Sequence, residues 1–232
     1  MPPARPSEWL AAAAALLAPP ACVACRRPPA RPGDALCAPC RAALPWLDGP
    51  RCPRCALPAP CGRCPMAGAA VARAWTPLAF EGPARAVVHA LKFRGALGLA
   101  DLMAAQMVAT APPWLRAPGV VLVPVPTPGG RRRRRGFDHA ARLAAAVGAR
   151  TGLEVVPCLR RAGPAPRQAG ARRAARLAGG RVRVTVRKPV PRRAVLIDDV
   201  HTTGTTFAAC ARTLQANGAF EVMALAYARA LR

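Results

Sequence analysis

The stretch that decides the fold is Val195-Leu196-Ile197-Asp198-Asp199-Val200-His201-Thr202-Thr203-Gly204-Thr205-Thr206. Three aliphatic residues make a buried strand, and the two aspartates that follow reach the carboxyl edge of a sheet, where α/β folds place ligands. Gly204 lets the backbone turn its N–H groups inward just before a helix, which forms an anion nest at the helix's positive end. The threonine hydroxyls of Thr202, Thr203, Thr205 and Thr206 add donors around the same point. Paired carboxylates ahead of such a nest suit vicinal sugar hydroxyls, so phosphate and diol together describe a ribose 5-phosphate group. A plain Thr-capped helix would explain the cap but not two adjacent acids followed by four threonines around a glycine.

Working outward, strands and helices alternate from about residue 71, which argues an α/β domain over residues 71–232. Residues 74–80 read as a strand and 83–93 as a helix, followed by a second helix over 97–111. Residues 120–125 (VVLVPV) form a buried strand, and a basic loop runs from 126 to 135. A helix over 137–150 has its apolar face at Ala140, Leu143, Ala144 and Val147. Residues 153–156 read as a short strand, 160–180 as an arginine-rich mobile loop or frayed helix, and 181–186 as an exposed strand. The pattern closes with a strand over 194–197, a helix over 205–217 stopped by Asn217-Gly218, and a last strand over 220–227.

Ahead of this domain lie eight of the ten cysteines, in four C-x-x-C pairs: Cys22/Cys25, Cys37/Cys40, Cys52/Cys55 and Cys61/Cys64. A C-x-x-C turn aims two sulfurs at one centre, and two turns complete a tetrahedral site suited to zinc. Residues 22–66 have too few aliphatics for a core of their own, so two structural zincs supply the folding energy. Sequential and interleaved pairings are both compatible with the spacing. Four sulfurs fill each site, which leaves no open position for catalysis. The metal spacing also points to a reducing compartment, and hence to the cytoplasm. Residues 1–21 read as a short Ala-rich helix, too short to span a bilayer and lacking a cleavage pattern. Cys158 and Cys210 read as small buried hydrophobes.

The charge is extreme, 35 basic against 10 acidic residues for a formal +25, and apart from Lys92 and Lys188 every one of the 35 is arginine. Part of this skew is compositional, alongside abundant Ala, Pro and Gly. A field of this sign still favours polyanionic partners and fits nonspecific nucleic-acid binding.

The segment VLIDDVHTTGTT resembles the motif by which type I phosphoribosyltransferases bind phosphoribosyl pyrophosphate (PRPP). Nearly the whole chain resembles the ComF/GntX (competence protein F) family. The shared features are LLAPPACVAC at the first cysteines, LKFRG at 91–95, VPVPT at 123–127, RGFDHA at 135–140 and RQAGARRAAR at 167–176. The resemblance implies a parallel sheet flanked by helices behind a double zinc ribbon. It implies that Asp198 and Asp199 hold ribose hydroxyls and that Thr202 to Thr206 hold the 5-phosphate. Lys92, Arg131, Arg134 and Arg135 would lie near the pyrophosphate with Mg²⁺, or on nucleic acid, and Gln168, Arg172, Arg173 and Arg176 would form a lid. The function implied is PRPP and single-stranded DNA binding in DNA uptake, alongside other uptake proteins. Phosphoribosyl transfer to a base and non-catalytic nucleotide sensing are the alternatives, and no catalytic residue is assigned. Two positions depart from the family pattern: His139 stands in place of Gln, and Gly179 in place of Asn.

Overall fold

The computed structural model describes residues 21–29, 31, 33–130, 136–161 and 182–231. The expected helix over 1–21 therefore lies almost wholly outside the described residues, as do Arg131, Arg134, Arg135, Gln168, Arg172, Arg173 and Arg176.

A parallel sheet forms the centre, in the order β1 (Arg73–Trp75), β7 (Glu221–Arg229), β6 (Arg193–His201), β3 (Val120–Pro124), with β2 (Leu78–Ala79) also on β7. All of these pairings are parallel. Both central strands are buried on both sides, which is why they read as nearly continuous apolar runs. Their side chains alternate between two cores. Val195, Ile197, Met223 and Leu225 enter one, and Ala194, Leu196, Val222 and Ala224 the other.

The first core is roofed by α2 (Gly82–Phe93), α3 (Leu99–Ala109) and α4 (His139–Thr151), which follow a five-residue α1 (Ala38–Ala42) in the cysteine region. Helix α2 starts with proline in its first turn and buries Ala84, Val87, Val88 and Leu91, the three-and-four spacing of one helical face. Helix α4 buries the expected Ala140, Leu143, Ala144 and Val147. It comes unusually close to the neighbouring chain at Gly148, where a Cβ would sit 2.8 Å from Val155 and 3.0 Å from the Leu153 carbonyl. The second core is covered by α5 (Thr205–Gln215) through Phe207, Cys210, Ala211 and Leu214.

Several expected elements are corrected. The strand over 74–80 is two short strands, because Pro77 offers no N–H to continue the ladder. Residues 153–156 contribute a single parallel bridge from Val155 to Leu122 rather than a strand. Arg160 and Arg161, read as loop, belong to β4 (Leu159–Arg161), which pairs antiparallel with β5 (Val184–Val186). Strand β6 does not stop at Ile197. It runs on to His201 against β7, while its other neighbour, β3, ends opposite Ile197. Asp198 and Asp199 thus lie on a strand that has lost one partner, which opens a cleft beside them.

The cysteine region docks on the β1/β2 edge by backbone hydrogen bonds: Leu47 N–H to Pro77 O at 2.8 Å, Ala79 N–H to Pro45 O at 2.8 Å and Ala74 N–H to Pro53 O at 2.7 Å. These satisfy an edge that would otherwise stand open to another chain. Arg51 adds to the seam by stacking on Trp75 at 3.5 Å. Among the described residues, no helix is long and apolar enough to cross a membrane.

Candidate functional site

The eight clustered cysteines settle into sequential groups, Cys22/Cys25/Cys37/Cys40 and Cys52/Cys55/Cys61/Cys64, with the sulfurs of each group within 4.8 Å of one another. The interleaved pairing left open by the spacing is not what forms. A zinc–sulfur bond of about 2.3 Å sets a tetrahedral sulfur–sulfur edge of about 3.8 Å. Cys25 and Cys37 stand 3.5 Å apart, and Cys52 and Cys64 stand 3.8 Å apart. Both gaps are far beyond the roughly 2.05 Å of a disulfide, and all ten cysteines are free thiols. The crowding shows in their acidities. Burial raises Cys22, but N–H groups of Cys25, Cys37 and Ala24 outweigh it and hold the thiol near 6. Burial and the neighbouring sulfurs push Cys40 up to about 12. Cys52 and Cys55 divide in the same way, near 7 and about 12. Four sulfurs that cannot all keep their protons comfortably are a donor set suited to a soft divalent cation.

The cleft beside β6 is a cavity of about 530 Å³ lined in part by Lys92, Thr127, His139, Asp198, Asp199, Thr202 and Thr206. Lys92, in the last turn of α2, pairs its Nζ with Asp199 Oδ1 at 2.8 Å. His139, the first residue of α4, places Nε2 3.3 Å from Asp199 Oδ2 and 4.0 Å from Asp198 Oδ1. The start of α4 is fixed by Asp138, whose carboxylate accepts from Ala141 N–H at 3.2 Å and from Thr127 Oγ1–H at 3.1 Å. Thus the short segment after β3 and the helix after the arginine run are tied together at the cavity wall. Burial, and then the adjacent Asp199 carboxylate, push Asp198 up to about 8 despite the pull of Lys92.

Beyond the aspartates the chain turns at Gly204, φ +77°, directly before α5. Thr202, Thr203 and Thr205 are exposed, and Thr203 and Thr205 share a hydroxyl hydrogen bond at 2.8 Å. Behind the turn there is no space. A Cβ on Gly204 would lie 2.0 Å from Met66 Sδ and 3.0 Å from His201 Nε2. His201 is buried edge-on to Phe207, and burial, then the nearby Arg229 charge, hold it down at about 3. It is a neutral packing group, and neither ring nitrogen has a hydrogen-bond partner.

With this geometry in view, the comparisons with known proteins bear on one part of the chain. Residues 13–72 match the model of the double zinc ribbon domain. No curated protein matches the chain. The double zinc ribbon ends one residue before β1 and fits both Cys₄ clusters, each with the donors for one structural zinc.

Sequence reasoning did not reach three of these features. His139 was singled out as a departure from a motif, and its place against both carboxylates depends on where α4 begins. An aromatic row of Phe80, His89 and Phe93 lines the same cavity, with ring centroids 6.3 and 5.6 Å apart. Its signal was the spacing of His89 and Phe93, four residues apart on one helix. Arg229, described below, carried no signal apart from following an apolar strand.

Proposed function

We propose that the cavity beside β6 binds a ribose 5-phosphate group, carried by PRPP with Mg²⁺. The observation that carries this reading is convergence: Asp198, Asp199, Thr202 and Thr206 line one cavity, and the two threonines flank the strand-to-helix turn at Gly204. In this reading the N–H groups at the start of α5 and the threonine hydroxyls receive the phosphate. Asp199, aligned by Lys92 and His139, accepts from one ribose hydroxyl, and Asp198 hydrogen-bonds the other. The cavity has room beyond a pentose for the pyrophosphate, where Mg²⁺ would neutralise charge alongside Lys92. Calorimetric titration with PRPP and Mg²⁺ tests this. Wild type should bind, and Asp198→Asn/Asp199→Asn should abolish the heat while keeping two zincs per chain. Equal binding by both proteins would refute the assignment.

Within the same reading, the double zinc ribbon, the arginine-rich charge and an exposed Phe93 favour single-stranded DNA as partner, as in DNA uptake. That arm predicts a steep fall of DNA affinity with salt, and it fails if Phe93→Ala and removal of the 131–135 arginines both leave affinity unchanged. A second reading is favoured by the Phe80–His89–Phe93 row, which suits a planar acceptor such as a nucleobase. There an acceptor nitrogen would form a bond to C1 of PRPP, lose its proton, and release pyrophosphate as the C1–O bond breaks. Absence of pyrophosphate release across a panel of bases would discard it.

A further inference from the structure

Arg229 ends β7 and is 1 % exposed, among the largest fully buried side chains of the described residues. Its guanidinium finds no carboxylate among the described residues and is spent on carbonyls. Nε–H donates to Cys55 O at 2.8 Å, and Nη1–H donates to His201 O at 2.7 Å, to Thr202 O, and to Ala230 O at 2.8 Å. Cys55 belongs to the second cysteine cluster, whereas His201 and Thr202 lead into the Gly204 turn. One planar fork therefore holds a cysteine knuckle and the anion turn in fixed relation. Met66, two residues past Cys64, gives the same linkage from the other side, because its sulfur forms the wall behind Gly204. Four thiolates around a bound Zn²⁺ would leave a net charge of −2 on the cluster, and two of those sulfurs, Cys55 and Cys64, already act on the buried guanidinium of Arg229. The first cluster is built otherwise. Its arginine, Arg41, pairs with Asp34 at 3.1 Å while more than half exposed, and Cys22 and Cys37 pack into the core on the opposite face of the sheet.

We propose that the second knuckle (Cys52, Cys55, Cys61 and Cys64), with its zinc bound, is a positioning element of the anion turn, acting through Arg229 and Met66. Zinc at the second knuckle, and not at the first, then sets how firmly the turn grips a phosphate. The phosphate arm rests on the reading given under Proposed function. The mechanical arm does not, because rigidity of the turn can be measured without ligand. Linkage also requires the reverse effect: a phosphate held at the turn must tighten zinc binding at the second knuckle.

The test uses the full chain in five forms: wild type, Cys22→Ser/Cys25→Ser, Cys61→Ser/Cys64→Ser, Arg229→Lys and Met66→Ala. Three quantities are read: zinc content, hydrogen exchange of the amides from residues 202 to 207, and affinity for ribose 5-phosphate. Loss of the second knuckle should raise exchange at 202–207 and weaken binding by about tenfold or more, within the range of ordinary coupling between sites. Loss of the first should leave both within about threefold of wild type. Arg229→Lys and Met66→Ala keep all eight ligands, so they should retain two zincs and still loosen the turn. That pair decides the matter even if a cysteine variant does not fold. In wild type, ribose 5-phosphate should raise the concentration of a chromogenic chelator needed to remove one of the two zincs at equilibrium. Exchange at 202–207 unchanged in both Arg229→Lys and Met66→Ala, or raised equally by loss of either knuckle, overturns the proposal. If wild type fails to bind ribose 5-phosphate, the functional reading falls, and the exchange data still decide the mechanical one.

Discussion

The two cysteine knuckles each gather four sulfurs within 4.8 Å, yet they occupy opposite faces of one sheet. The first contributes Cys22, Leu36, Cys37 and Leu44 to the helix-roofed core, and the second contributes Cys55, Ala56, Met66 and Val71 to the core beneath α5. Chemistry alone would make them interchangeable. Position makes one a staple and the other a neighbour of the candidate ligand site. A ribbon that would be core-poor on its own becomes stable by sharing both cores of the domain it docks on, with a metal at each point of attachment.

Removing both metals should erase the difference between the knuckles and have the largest effect. A structural zinc is worth about 10–16 kcal/mol, comparable with the roughly 5–15 kcal/mol that holds a whole domain together. With a chelator the chain should lose its cooperative near-ultraviolet melt altogether. An α/β melt that persists unchanged would show that the shared cores are not shared energetically.

The arginines sharpen the contrast. Arg229→Met strands buried carbonyls of Cys55, His201 and Thr202, and should cost about 2–4 kcal/mol in urea denaturation. Arg41→Met removes an exposed pair and should cost less than about 1 kcal/mol. Equal losses would mean that the second knuckle is no better anchored than the first.

Gly204→Ala comes next. The positive φ alone costs about 1–2 kcal/mol, and the clash with Met66 adds to it. In a Met66→Ala background the clash contribution should disappear while the backbone contribution stays. The same cost in both backgrounds would remove Met66 as the wall behind the turn.

A further effect is pH-dependent. Because Asp198 is raised in the folded chain, the folded state binds more protons than the unfolded one between about pH 4 and 8, and stability falls as pH rises through that window. Asn mimics the protonated acid. Asp198→Asn should therefore melt higher than wild type at pH 8 and match it at pH 4. A gap independent of pH would place the raised acidity elsewhere.

How much of this was legible in the sequence depended on how local the cause was. The C-x-x-C turns aim their own sulfurs, and VLIDD followed by TTGTT carries its own strand, turn and helix start. The helix faces at Ala84, Val87, Val88, Leu91 and at Ala140, Leu143, Ala144, Val147 follow from spacing alone. What could not be read was set by distant partners. Strand β6 runs past Ile197 because β7 is long enough to pair with it, and β4 hid inside an arginine-rich segment whose composition resembles a loop. Arg229 lay just outside the last expected strand, in a chain where arginine is so common that one more carries no information. The contact between Met66 and Gly204 joins residues far apart in sequence, and neither residue type announces the other. Zinc pairing was undecidable from spacing and was fixed by which turns the sheet edge brings together.

The central claim is that a sugar phosphate seats on the Gly204 turn with its hydroxyls toward Asp198 and Asp199. It is tested most directly by titrating ribose 5-phosphate into isotope-labelled protein and following backbone amide resonances. Saturable shifts concentrated at residues 198–199 and 202–206, and lost in Asp198→Asn/Asp199→Asn, are the expected result. Shifts absent from those residues at saturating ligand, or identical in the double variant, would contradict it.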